Sequence, residues 1–182
     1  MQKELPPFYY GIMRIIDCGF AIEEAVNPDI EAVQIGYGMN FLFDSTADWI
    51  MYGIRADFKD AKTGVIFASG TVQTTFSVRD LKNFIDENDQ LIFPNGSLES
   101  LFGIAFDHLR AILAKNLGGT RFSTLYVPVI DADKLFNDLL DINIQKFQEA
   151  QETKNSHLKK EDKSDFKAIT LAPTDKSKRR PQ

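Results

Sequence analysis

Asp107 and His108, with Arg110 two residues on, form the one acid-imidazole neighbourhood in this chain, and a general base would have to be sought there. Adjacent residues on a helix project about 100° apart, so the carboxylate and the ring do not face each other. His108 therefore reads as a helix-flank or interface residue. Asp131 and Asp133 stand two apart at a helix start, where capping explains them; a divalent cation needs more oxygen ligands from one loop. Gly36-Tyr37-Gly38 lacks the strand-to-helix context of a phosphate-binding loop. The single Cys18 allows no intramolecular disulfide, and with only His108 and His157 beside it a Cys/His zinc site is excluded. The expectation is a protein that is not an enzyme and needs no cofactor and no metal.

What the sequence has in excess is apolar surface. Its 15 Phe, 5 Tyr and 1 Trp exceed what a small sheet-plus-helix core needs, and a sizeable apolar patch usually marks a binding or oligomer surface. The 182 residues fit one domain with a tail, and 43% hydrophobic content suffices for a real core. Charge is divided unevenly. Residues 151–182 carry nine Lys and Arg against five Asp and Glu, which leaves twelve against 21 in residues 1–150. An acidic body argues against nucleic acid as the main partner, because phosphate binding needs a concentrated basic face. No run approaches the roughly 18 apolar residues of a membrane span, and the start lacks a secretory pattern, so no membrane insertion and a cytoplasmic location are expected.

Four segments alternate with period two. Val65 to Val78 places Ile66, Ala68, Gly70, Val72, Thr74, Phe76 and Val78 on one face; Trp49 to Phe58 does the same with Ile50, Tyr52, Ile54, Ala56 and Phe58; Val33 to Phe43 gives a third stripe, and Phe8 to Ile22 a less regular fourth. They predict a four-stranded antiparallel meander with a hairpin turn at Lys59 to Gly64. Glycines 36, 38, 53 and 70 inside strands predict bulges or a close backbone approach. A short helix is expected over Arg79 to Glu87, with Leu81, Phe84 and Ile85 inward, then a polar loop at residues 87–90. Ser97 to Leu117 reads as a long helix with Ser97 as N-cap and Gly118-Gly119 as a left-handed stop. Its apolar residues cover an arc of about 160°, wider than the usual 100°, so it should pack on two surfaces, its own sheet and a second subunit. Arg121 to Val129 reads as extended. A last helix capped by Asp131 carries Leu135, Phe136, Leu139, Leu140 and Phe147 before the chain turns polar near Gln151. The domains are then 1–150, an α+β unit, and 151–182, a polar, basic tail.

This order of elements resembles the SecB-like family of export chaperones. Phe106-Asp107-His108-Leu109-Arg110-Ala111-Ile112-Leu113 is similar to that family's aromatic, Ala-Arg-Glu, apolar helix pattern, with Arg110 at the arginine and Ala111 in place of the glutamate. Gly119-Thr120 followed by Leu125-Tyr126-Val127-Pro128-Val129 is similar to its glycine turn and Leu-x-x-Pro-Val segment, and Phe136 and Leu140 fall where it has groove residues. The resemblance implies a four-stranded antiparallel sheet with a long helix and a shorter C-terminal helix on one face. It implies an ATP-independent holdase for unfolded polypeptide, serving export or a toxin-antitoxin system, with an antitoxin or a translocase component among its partners. It also implies a homotetramer built as a dimer of dimers. An extra residue between Pro128 and Phe136 and a longer basic tail depart from the pattern.

On this reading Phe93, Pro94, Phe122, Tyr126, Phe136 and Leu140 line a peptide groove, and Leu98, Leu101, Phe102, Phe106, Leu109 and Leu113 form the oligomer interface. Two other classes remain open: a hotdog- or cystatin-like carrier or enzyme for a small ligand, and a dedicated protein-interaction module. Helix order counts against the first, since both long helices here follow the strands.

Overall fold

The computed structural model describes residues 6–86 and 91–143. It is an α+β fold: four antiparallel strands, β1 (Tyr10–Ile22), β2 (Val33–Asp44), β3 (Trp49–Asp60) and β4 (Ile66–Val78), then a long helix α1 (Ser97–Leu117) and a second helical stretch over residues 132–143, here α2. Phe147, the expected exit near Gln151, the loop at 87–90 and the tail at 151–182 lie outside the described residues.

The meander holds for β2, β3 and β4. β1 departs from it by pairing with β4, so the order across the sheet is β1-β4-β3-β2, a Greek-key arrangement. The ten residues between β1 and β2 must therefore cross the end of the β3–β4 hairpin. Asp60 makes that crossing possible. Its carboxylate accepts from the amides of Lys62 (2.9 Å) and Thr63 (2.8 Å) within the turn, and from the amide of Asp29 (3.3 Å) in the crossing segment. Lys62 Nζ then pairs with Asp29 at 3.0 Å. These donors to the charged form hold the Asp60 carboxyl below its ordinary value, the Thr63 amide foremost.

β1 alternates imperfectly in sequence because it carries two bulges. Register shifts fall between Ile12 and Arg14 and between Asp17 and Gly19, so the residues sharing the inner face run 10, 12, 15, 17, 20, 22. A third irregularity, between Phe58 and Lys59 on β3, sits opposite Phe67. It turns Phe67 inward to 1% exposure and leaves Ile66 at 41%, the reverse of strict alternation. None of the three bulges coincides with glycines 36, 38, 53 or 70. Gly70 instead marks a close approach, because a Cβ there would collide with Leu113 Cδ2 of α1.

α1 lies over β4, β3 and β1. Tyr52, fully buried, donates its hydroxyl to the Leu98 carbonyl at 3.0 Å and so fixes the first turn. The caps differ from expectation. Gly96, at φ 79°, is the N-cap and Ser97 is already helical, since the left-handed turn needs a residue without Cβ. At the other end Gly118 keeps a right-handed conformation, and the Leu117 carbonyl is satisfied by the amide and hydroxyl of Thr120. The expected helix at 79–87 is a single 3₁₀ turn, Leu81–Phe84; it buries Leu81 and Phe84, while Ile85 bridges to Leu91. No helix among the described residues is long and apolar enough to cross a membrane.

Candidate functional site

The wide arc of α1 does meet two surfaces, and both belong to this chain. Phe102 packs on Tyr52 of β3 (centroids 6.0 Å apart) and on Phe136 of α2 (5.4 Å). Leu101, Phe102, Phe106, Leu109 and Leu113 are each at most 3% exposed, and Leu98 is half-buried. The apolar surface attributed to a subunit contact is thus already covered by the sheet and α2.

The six groove residues do not converge. Phe93 is half-buried in an aromatic cluster with Phe8 and Phe84, both at 5.3 Å, and Pro94 accepts from the Ser97 amide just before α1. Phe122 is buried against Phe67 at 5.0 Å, beyond the other end of a helix about 30 Å long. Phe136 is 3% exposed, Leu140 is half-buried, and only Tyr126, at 71%, stands in solvent. Four of the six are thus structural or distant; of the other two, Leu140 packs against the core and Tyr126 is exposed.

Tyr126 belongs to segment 125–131, which has no regular secondary structure and runs beside β2; residues 121–124, expected to be extended, form turns instead. Four contacts fix this arrangement. Tyr37 of β2 meets Phe106 edge-on at 5.5 Å, and one turn further along the same flank of α1 Arg110 donates from Nε to the Val127 carbonyl at 3.2 Å. β2 and the segment therefore lie side by side on α1. Arg121 donates to the Val26 carbonyl, tying the start of the segment to the crossing between β1 and β2. Asn143 Nδ2 donates to the Met39 carbonyl at 3.0 Å, so α2 closes the other end. Asp131 caps α2 as expected, accepting from the Lys134 amide at 3.0 Å.

The β2 side of this junction is apolar and incompletely covered. Val33, Ile35, Tyr37 and Met39 point inward from β2 but stay half-buried, whereas their β3 neighbours Phe58, Ala56 and Ile54 are fully covered. On segment 125–131 Val129 is 81% exposed and Tyr126 71%, the two highest values among the large apolar residues described. The buried Tyr37 hydroxyl has no hydrogen-bond partner among the described residues, and burial raises its pKa while the nearby Arg110 opposes that shift. Among the described residues β2 is also an open edge of the sheet. The Ala61 amide bonds the Ala32 carbonyl, so in the unshifted β2–β3 register the even residues of β2 bond β3 and the odd ones present their backbone outward. The Met39 carbonyl, the one Asn143 finds, belongs to that outward set. Sequence reasoning placed the β2 row in the core and missed Val129; the glycines flanking Tyr37 and the valine after Pro128 were the available signals.

The rest of the polar chemistry is structural. His108 Nδ1 lies 3.0 Å from Thr74 Oγ1, a pairing that links α1 to β4. Asp107 pairs with Arg110 at 2.9 Å and keeps it aimed along the helix flank.

No family model matches the chain, and no curated protein matches it. Among solved structures, a SecB-like chaperone from Mycobacterium tuberculosis, in complex with a ChAD peptide from the HigA1 antitoxin, is similar over 66% of this chain and 89% of that one, at 10% identity and a TM-score of 0.49.

Proposed function

We propose that this chain is an ATP-independent holdase that receives extended, unfolded polypeptide along the β2 edge, beside segment 125–131. A single observation carries the reading: Tyr126 and Val129, 71% and 81% exposed, belong to a segment that runs beside a half-covered apolar row whose backbone edge is open. An extended client would lay alternate apolar side chains on Val33, Ile35 and Tyr37 and release about 25 cal/mol for each Å² of apolar area removed from water. Its backbone would pair with the β2 edge without any requirement for sequence, and this is how such a site stays promiscuous. Clients of this kind include an export precursor or an antitoxin segment.

The same reading includes a homo-oligomer, with a second copy seated on β1. Tyr10, Ile12 and Ile15 share the inner face of that edge strand yet are 46%, 52% and 43% exposed. Beside them runs the flank of α1 opposite Arg110, with the half-buried Ile104 and Ile112. A long apolar edge left open in a monomer invites pairing with another chain. A dimer formed there leaves β2, on the far edge of the sheet, free for client.

The experiment is suppression of aggregation. Several unrelated proteins, each unfolded thermally or by dilution from denaturant, should stay soluble at stoichiometric amounts of this chain without ATP. Protection of none of them contradicts the reading, and protection of one alone points to a dedicated interaction module.

A further inference from the structure

We infer that the open edge of β2 is also the docking site of the chain's own residues 166–171, Phe-Lys-Ala-Ile-Thr-Leu, which occupy it as a tethered stand-in for client. The inference rests on the holdase reading and names a first occupant for its site. Asn143 ends the described chain on the Met39 carbonyl, at the margin of the open edge, and 39 further residues follow it in the sequence. From there the connection to Phe166 is 22 residues, whose fully extended reach is at most about 75 Å. The edge from Val33 to Tyr37 lies within reach.

The composition of the segment fits the edge. In a basic, polar stretch, residues 166–171 bring together Phe166, Ile169 and Leu171, and Ile169 and Leu171 sit two apart, the spacing at which an added strand presents both to one face. Pro173 follows, and a proline cannot donate to a ladder, so the added strand has a natural end. Charge agrees as well. The exposed surface of α2 carries Asp133, Asp138 and Asp141, and residues 176–180 of the tail read Lys-Ser-Lys-Arg-Arg.

Tethering sets the size of the effect. A short flexible linker gives an effective concentration near 1 mM, so a segment whose free affinity is only about 0.1 mM still occupies its site roughly ten times in eleven. Client affinity is lowered by the same factor. The test compares the full-length protein with a full-length Ile169→Asp/Leu171→Asp variant, by fluorescence anisotropy of a labelled, uncharged apolar client peptide. The variant is expected to bind about tenfold more tightly than wild type. A synthetic peptide of residues 163–174 should displace the client from the variant. Equal client affinities for the two proteins would overturn the docking while leaving the holdase reading intact. If client binds neither protein but the 163–174 peptide binds the variant, the edge serves the tail alone and the holdase reading falls; binding of neither peptide overturns both.

Discussion

Asn143 Nδ2 meets the Met39 carbonyl at 3.0 Å, across 104 residues of sequence, and stands where the amide of an added strand would stand. One side chain of α2 thus satisfies one position of the open edge of β2 and leaves Val33, Ile35 and Tyr37 unpaired along it. The proposed site is bounded at that end by a contact of the kind an added strand would make. Replacing Asn143 with Ala should extend the usable edge by a residue pair. Client peptide affinity, measured by anisotropy, is expected to hold or rise, with a stability loss of about 1 kcal/mol in urea unfolding.

Phe136 and Tyr126 separate packing from binding. Phe136 fills the space between Phe102 and Tyr52 at 3% exposure, so Phe136→Ala should cost about 3–5 kcal/mol in chemical denaturation. Tyr126→Ser removes an exposed ring and should change stability by less than about 0.5 kcal/mol while weakening client binding several-fold. Equal effects of the two on binding, after correction for the folded fraction, would place the site elsewhere.

Arg110 fastens segment 125–131 to α1. Its Nε bond holds Val127 in position, and Asp107 holds Arg110. Arg110→Ala should cost about 1–2 kcal/mol. Segment 125–131 should also become faster in hydrogen exchange relative to β3, a readout that a uniform loss of stability would not produce.

Asp60 makes the fold acid-sensitive at the crossing between β1 and β2. Its folded pKa lies below the unfolded value, so its contribution is fully present above the unfolded pKa and is lost as the pH falls through the folded one. The melting temperature should therefore decline as the pH drops below about 4, and Asp60→Asn should start lower at neutral pH and decline less. A variant that melts in parallel with wild type across this range would remove Asp60 from the account.

Much of the fold was legible in the sequence because burial on one face imposes a period that few other causes produce. Strands β2, β3 and β4 and helix α1 lie within two residues of where alternation and helical spacing put them. Strand order was not legible, since β1 pairs with β4 through contacts 46 to 68 residues apart that no local pattern records. Phe67 was misplaced by a bulge, and Ser97 lost the cap to Gly96 because Pro94 and Gly96 already turn the chain. The groove residues were chosen for greasiness, and greasiness does not separate Phe136, which fills the core, from Tyr126, which does not. The row Val33, Ile35 and Tyr37 looked like core from its spacing; only the path of α1 over the other three strands leaves it half-covered.

The most direct measurement is photo-crosslinking of an extended apolar peptide carrying diazirine side chains, with the adducts located by mass spectrometry. Adducts on residues 33–39 and 125–131 are what the account predicts. Adducts confined to the outer face of the sheet, at Thr71, Gln73 and Thr75, or scattered without preference, would contradict it.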